Sequence, residues 1–189
     1  MSDFAESLLV DWDKQIFAIR RSIRYHLRRT AYYDGLDKVT NMISVMFGSA
    51  AIYGVLSKKA ESLALVMSAL VTFVSTINLV VSSGQRARAH SDFVRQYVEL
   101  EKRLLSPPSE VGLLAIKQDR LTIEALEPPV LHVLNAMCHN EVMRSMGYAQ
   151  AELASIGPCQ RLFSHFFDFR EHKICTPQTA GSGTPDVVG

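Results

Sequence analysis

Apolar residues in this chain concentrate in two uninterrupted blocks flanked by helical stripes of mixed polarity. Val39 to Ser57, VTNMISVMFGSAAIYGVLS, carries no charge and as a helix extends about 28 Å. Ser62 to Gln85, SLALVMSALVTFVSTINLVVSSGQ, is likewise uncharged and covers roughly 30 Å plus a short interfacial end. Both lengths match the hydrocarbon core of a bilayer. Only Lys58 to Glu61, KKAE, separates them, and so short a link predicts antiparallel neighbours, a transmembrane hairpin. The alternative is a soluble helical hairpin buried within a larger bundle, because Asn41, Ser44, Tyr53, Ser75 and Asn78 temper the hydrophobicity.

Outside the blocks the apolar period is that of amphipathic helices. Trp12, Ile16, Ile19, Ile23 and Leu27 recur at helical spacing before the first block, interleaved with Asp13, Lys14, Arg20, Arg24 and Arg28. Phe93, Tyr97, Leu100 and Leu104 continue a stripe after the second block, up to Ser106, Pro107 and Pro108. A further helix is expected from Ser109 to Ala125, stopped by Pro128 and Pro129, and another from Pro129 to Met146, stopped by Gly147. In the latter, Leu131, Leu134, Cys138 and Val142 make one apolar stripe. The aromatic run RLFSHFFDF, Arg161 to Phe169, suits either a membrane interface or docking on the other helices. The tail from Thr176, rich in Gly, Pro, Ser and Thr, is expected to be disordered.

The expected fold is therefore all-α: a two-helix transmembrane hairpin with long cytoplasmic helical extensions forming a helical bundle. It divides into an N-terminal amphipathic helix (1–38), the hairpin (39–85), a C-terminal helical region (86–175) and the tail (176–189).

Charge placement sets the expected orientation. Arg20, Arg21, Arg24, Arg28, Arg29 and Lys38 precede the first block and Arg86, Arg88 and Arg95 follow the second, against Lys58 and Lys59 between them. The positive-inside rule then puts both termini in the cytoplasm, for a multi-pass protein of the inner membrane. Arg20, Arg21, Arg24, Arg28, Arg29, Arg86 and Arg88 form a candidate lipid-facing cluster, or else pair with acids on neighbouring helices. Tyr32 and Tyr33 suit either the headgroup level or a helical core. The first residues, Met1 to Asp13, carry acids and no short apolar core, so insertion is expected to rely on the internal blocks.

Within the blocks, small and hydroxyl side chains share faces. Ser68, Thr72, Ser75 or Thr76, and Ser82 recur at steps of three and four with Asn78 nearby; Ser44, Gly48 and Ala51 do so in the first block, where Ala50 and Gly54 add small-xxx-small spacing. Such faces serve close packing in lipid or a water-lined path, and Asn78 at membrane depth needs a partner. Ser44, Gly48, Ser68, Thr72, Ser75, Thr76 and Asn78 are thus the candidate pore or helix-packing face.

Composition excludes more than it assigns. With 20 Lys and Arg against 19 Asp and Glu, net charge +1, the chain lacks the basic excess of a nucleic-acid binder. Cys138, Cys159 and Cys175 are an odd, widely spaced set, which argues against a disulfide framework. Cys138 and His139 beside His132 invite a metal reading, yet adjacent helical residues point about 100° apart and no second liganding cluster completes a set. No phosphate loop, GxSxG or HExxH is present, and nothing joins Glu124 and Glu127 to a nucleophile, so neither catalysis nor a cofactor is expected.

Three stretches carry a resemblance: IRYHLRRTAYYDGLDK before the first block, ARAHSDFVRQYVELEKRL after the second, and IEALEPPVLHVLNAMCHNEV downstream. Together with the close hairpin they resemble the SMODS and SLOG-associating two-transmembrane effector proteins, the SLATT family, over about Ser22 to Phe169. The resemblance rests on patterns of helix and polarity. It implies a bacterial effector of nucleotide-signalling or phage-defence systems that forms a homo-oligomeric membrane pore in contact with lipid. A separately encoded sensor or nucleotide synthase would supply its trigger, because no fused sensor domain is expected. A membrane-anchored helical scaffold that recruits a cytoplasmic partner is the rival, and a prophage holin-like lysis protein the second.

Overall fold

The computed structural model describes residues 2–56, 61–168 and Ile174. The fold is all-helical, with no strand among the described residues: α1 (Ser2–Leu56), α2 (Glu61–Val81), α3 (Ser83–Arg103), α4 (Glu110–Glu124), α5 (His132–Ser145), a single 3-10 turn (Gln150–Glu152) and α6 (Pro158–Phe163). The Lys58–Lys59 link, Phe169, Cys175 and the tail from Thr176 lie outside the described residues.

The first amphipathic segment and the first apolar block form one helix, α1. The first proline of the chain is Pro107, so nothing before it removes a backbone donor. The second block is interrupted before its expected end. Ser82 adopts φ 52°, in the left-handed region, and divides α2 from α3.

Packing groups the chain into two units, Met1–Tyr25 with Pro107–Gly189, and His26–Ser106. The divisions at 38, 85 and 175 concern the relation to a membrane, which packing does not address.

In the first unit α1 buries Trp12, Gln15 and Ile19, while Ile16 and Ile23 are half-buried. Helix α4 buries Leu113, Ile116 and Ile123. Ser109 caps α4, its Oγ accepting from Gly112 N at 3.2 Å, at the start expected from sequence. Polar cross-links join α4 to α1: Lys117 Nζ to Asp11 Oδ2 at 3.0 Å and Arg120 to Gln15 Oε1 at 2.7 Å.

Helix α5 begins at His132, three residues later than Pro129. Leu131 is extended, and its N–H donates to the Tyr25 hydroxyl (3.0 Å), while Val133 N–H donates to Asp168 Oδ1 (3.0 Å). Two side chains remote in sequence thus satisfy donors at the helix start. Leu134 and Cys138 pack with Tyr25 in a buried cluster, and Val142 completes the expected stripe. Gly147, at φ 86°, stops the helix, with Tyr148 N–H bonded to Met143 O. Buried Asn140 bonds Ala154 twice: its Nδ2 donates to Ala154 O at 2.7 Å and its Oδ1 accepts from Ala154 N at 2.9 Å. This pins the segment after the 3-10 turn.

The second unit contains the remainder of α1, α2 and α3. Its contacts descend one segment as they climb the other: His26 meets His90, Tyr33 meets Arg86, Asp37 meets Asn78 and Ser44 meets Ser75.

Candidate functional site

On α2 the more buried positions, Ala64, Met67, Val71, Val74 and Asn78, recur at helical spacing, and the other faces are open. Leu65, Phe73, Leu79 and Val80 are 73, 64, 79 and 76 % exposed. Among the described residues one helical stretch, Ser62–Arg103, is long and apolar enough to cross a membrane, and only 6 % of its apolar window is buried. A core helix of a soluble protein would hide most of that surface. In the first block, Met42, Val45, Met46, Ile52 and Val55 are also turned outward.

The candidate polar face divides in two. Ser75 and Asn78 reach α1, where Ser75 Oγ is 3.4 Å from Ser44 Oγ and Asn78 Nδ2 is 3.4 Å from Asp37 Oδ1. Ser68, Thr72 and Thr76 are exposed, and each hydroxyl donates back into its own helix, to Ala64 O (2.8 Å), Ser68 O (2.9 Å) and Thr72 O (2.7 Å). Gly48 is half-buried, yet a Cβ placed there would meet nothing within 4 Å, so packing inside the protomer does not require its small size.

Asp37, absent from the sequence-derived candidates, closes the end of the apolar block. Its carboxylate accepts from Asn41 Nδ2 (3.2 Å) and Asn78 Nδ2, and lies 3.7 Å from where a Gly84 Cβ would stand, in the first turn of α3. Helix α3 has no acid in that turn and no side-chain cap, since Ser82 Oγ bonds Leu79 O instead. A carboxylate from α1 therefore complements the positive end of the α3 dipole. Asn78 Oδ1 and buried Ser83 Oγ have no hydrogen-bond partner among the described residues.

Beyond Asp37 follows a layer of aromatics and histidines. His26 Nδ1 and His90 Nδ1 are 2.8 Å apart, with both rings buried. Tyr33 stacks on His90, and Phe93 and Tyr97 pack on His26. On Tyr33 two guanidiniums converge, Arg29 with its Cζ 4.6 Å from the ring centroid and Arg86 at 5.8 Å, and both donate to the phenol oxygen. Burial, then neighbouring Tyr33, raises the Tyr32 hydroxyl above the usual tyrosine value.

The expected basic cluster is distributed. Arg20, Arg21 and Arg24 belong to the first unit, where Arg24 donates to Ser145 Oγ at 3.1 Å. Arg28, Arg29, Arg86 and Arg88 belong to the second, with Arg86 and Arg88 exposed. In the first unit His139 packs edge-on to Phe17 (4.9 Å); burial, then Arg21, holds its imidazole below the ordinary value. In the aromatic run, Phe163 stacks on Phe167 at 5.4 Å, while Leu162 and Phe166 face outward.

Asp37, His26 and His90 escaped the sequence reading because none belongs to a spaced motif. Reflecting the chain about the middle of Lys58–Glu61 places Ser44 opposite Ser75 and Tyr33 opposite Arg86, but it misses the His26–His90 and Asp37–Asn78 contacts by three and four positions. Comparison of the chain with protein-family models, with curated proteins and with solved structures finds no match.

Proposed function

We propose that this chain is a membrane effector of a bacterial nucleotide-signalling or anti-phage conflict system, which oligomerises and opens a pore in the inner membrane. The observation that carries the membrane part is the exposure of the α2 apolar surface, of which 6 % is buried. Transferred from water into hydrocarbon, each fully exposed large aliphatic or aromatic side chain gains about 1.5–3 kcal/mol. In this reading α2 and the second part of α1 form a two-pass hairpin with both termini cytoplasmic, the orientation favoured by Arg29, Lys38, Arg86 and Arg88 at its open end.

Two helices cannot enclose a channel, so the pore requires several protomers. Ser68, Thr72 and Thr76 support this step, because they line a polar stripe that is exposed on the protomer. Gly48, with open space over its Cα, supplies a place of close approach on α1. The resemblance to SLATT proteins supports the effector role and a separately encoded trigger.

Expression in bacteria loaded with a membrane-potential dye tests the reading. Depolarisation and growth arrest in the presence of the neighbouring genes are expected; unchanged potential and normal growth count against a pore. The second reading, a membrane-anchored scaffold, draws on the first unit, where Phe4, Leu8, Leu113 and Leu114 line a groove between α1 and α4. Exchange of the hairpin for an unrelated two-helix anchor separates them, since a scaffold keeps its function and a pore loses it.

A further inference from the structure

We propose that Asp37, Asn78 and Ser83 form a binding site for a monovalent cation at the break between α2 and α3. The site lies within one protomer and does not depend on the pore reading above.

Asp37 is half-buried and enters no ion pair among the described residues. Its hydrogen-bond donors are two neutral amides, Asn41 Nδ2 at 3.2 Å and Asn78 Nδ2 at 3.4 Å. Nearby cations serve other partners: Lys38 pairs with Asp34 at 2.7 Å, and Arg86 donates to the Tyr33 hydroxyl. A carboxylate charge is therefore left without a counter-ion.

Two further oxygens beside it are also unsatisfied. The Asn78 amide turns its Nδ2 to Asp37, which leaves its Oδ1 buried and without a donor. Ser83 is 1 % exposed and its Oγ has no partner; it adjoins Gly84, where a Cβ would stand 3.7 Å from Asp37 Oδ1. The left-handed turn at Ser82 adds the end of α2. Gln85 N–H bonds Ser82 O at 3.0 Å, so the Val81 carbonyl loses the donor that an unbroken helix would give it.

These oxygens call for positive charge. The negative end of the α2 dipole offsets the positive end of α3, and the charge of the carboxylate remains. A water molecule brings hydrogens to such a place but no charge, whereas a cation is held by carboxylate, amide, hydroxyl and freed carbonyl oxygens alike, as at other breaks in membrane helices. One carboxylate among neutral oxygens matches a single positive charge; calcium sites gather more than one.

The test is thermal unfolding of the purified full chain in detergent, followed by circular dichroism at constant ionic strength while sodium chloride replaces choline chloride. Sodium is expected to raise the melting temperature by about 4–8 °C at roughly thirty times its dissociation constant. Asp37→Asn abolishes the rise, and Asp92→Asn, at an exposed acid of the same unit, keeps it. Ser83→Ala gives the sharpest sign. In choline it is at least as stable as the parent, because the hydroxyl it removes has no partner, and in sodium it is less stable. That comparison decides the matter even if Asp37→Asn does not fold. Equal melting in the two salts overturns the site, as does a sodium response that survives Asp37→Asn or is lost in Asp92→Asn. Equal destabilisation by Ser83→Ala in both salts overturns the cation in favour of a buried water. A chain that stays monodisperse without detergent counts against the membrane reading alone, and the same titration then decides the site in plain buffer.

Discussion

His26 and His90, sixty-four positions apart, approach through the same ring atom, Nδ1 to Nδ1 at 2.8 Å. One ring must carry its proton on Nδ1 and the other must leave Nδ1 bare, so the two tautomers are complementary. Replacing either alone leaves a buried nitrogen facing carbon. His26→Phe is expected to cost about 1–3 kcal/mol. The double variant His26→Phe with His90→Phe should recover part of that, because the stack on Tyr33, Phe93 and Tyr97 accepts another aromatic. Thermal unfolding in detergent measures the cycle, and strictly additive losses would refute the coupling.

Asn140 imitates a peptide group towards Ala154, giving and taking one bond each. Asn140→Ala should destabilise the first unit by roughly 2 kcal/mol, and Asn140→Leu by no less, since Ala154 loses both partners in either variant. Amide exchange at Ala154 provides the local readout. Unchanged protection there would mean the pair holds nothing in place.

Acid should weaken the first unit through His139. Burial lowers its affinity for a proton in the folded state, so below about pH 6.5 the unfolded chain binds a proton that the folded chain refuses. Stability is therefore present above that pH and falls as pH drops towards the depressed folded value. His139→Phe keeps an aromatic against Phe17 and removes this contribution. Melting curves between about pH 7 and pH 5 compare the two proteins, and parallel slopes would disprove the assignment.

For the pore, replacement of Ser68, Thr72 and Thr76 together by valine should leave the protomer helical, because their hydroxyls bond only their own helix. Depolarisation in cells should fall to background. Ser44→Ala, which removes a long contact to Ser75, should affect depolarisation far less. Full activity in the triple valine variant would place the lining elsewhere.

Much of the helical order was legible because punctuation is local: Ser109 as a cap, Pro128 as a stop and Gly147 in a left-handed turn all act within one helical turn. The stripe of Leu134, Cys138 and Val142 was legible for the same reason, as it repeats at the period of the helix. The start of α5 was not, since it depends on Tyr25 and Asp168, which are distant in sequence. The break at Ser82 was hidden too. Serine carries no signal for φ 52°, and the carboxylate facing that break comes from α1. Sequence spacing put Ser68, Thr72, Ser75 and Thr76 on one face, but only packing separates Ser75, which reaches Ser44, from the three that point away.

Three outward hydroxyls on α2, those of Ser68, Thr72 and Thr76, have already committed their hydrogens to a carbonyl one turn back. What the stripe offers its surroundings is consequently oxygen lone pairs alone. Anything that settles against it must bring its own protons or positive charge, so water, an amide or a small cation is received there and a bare anion is turned away.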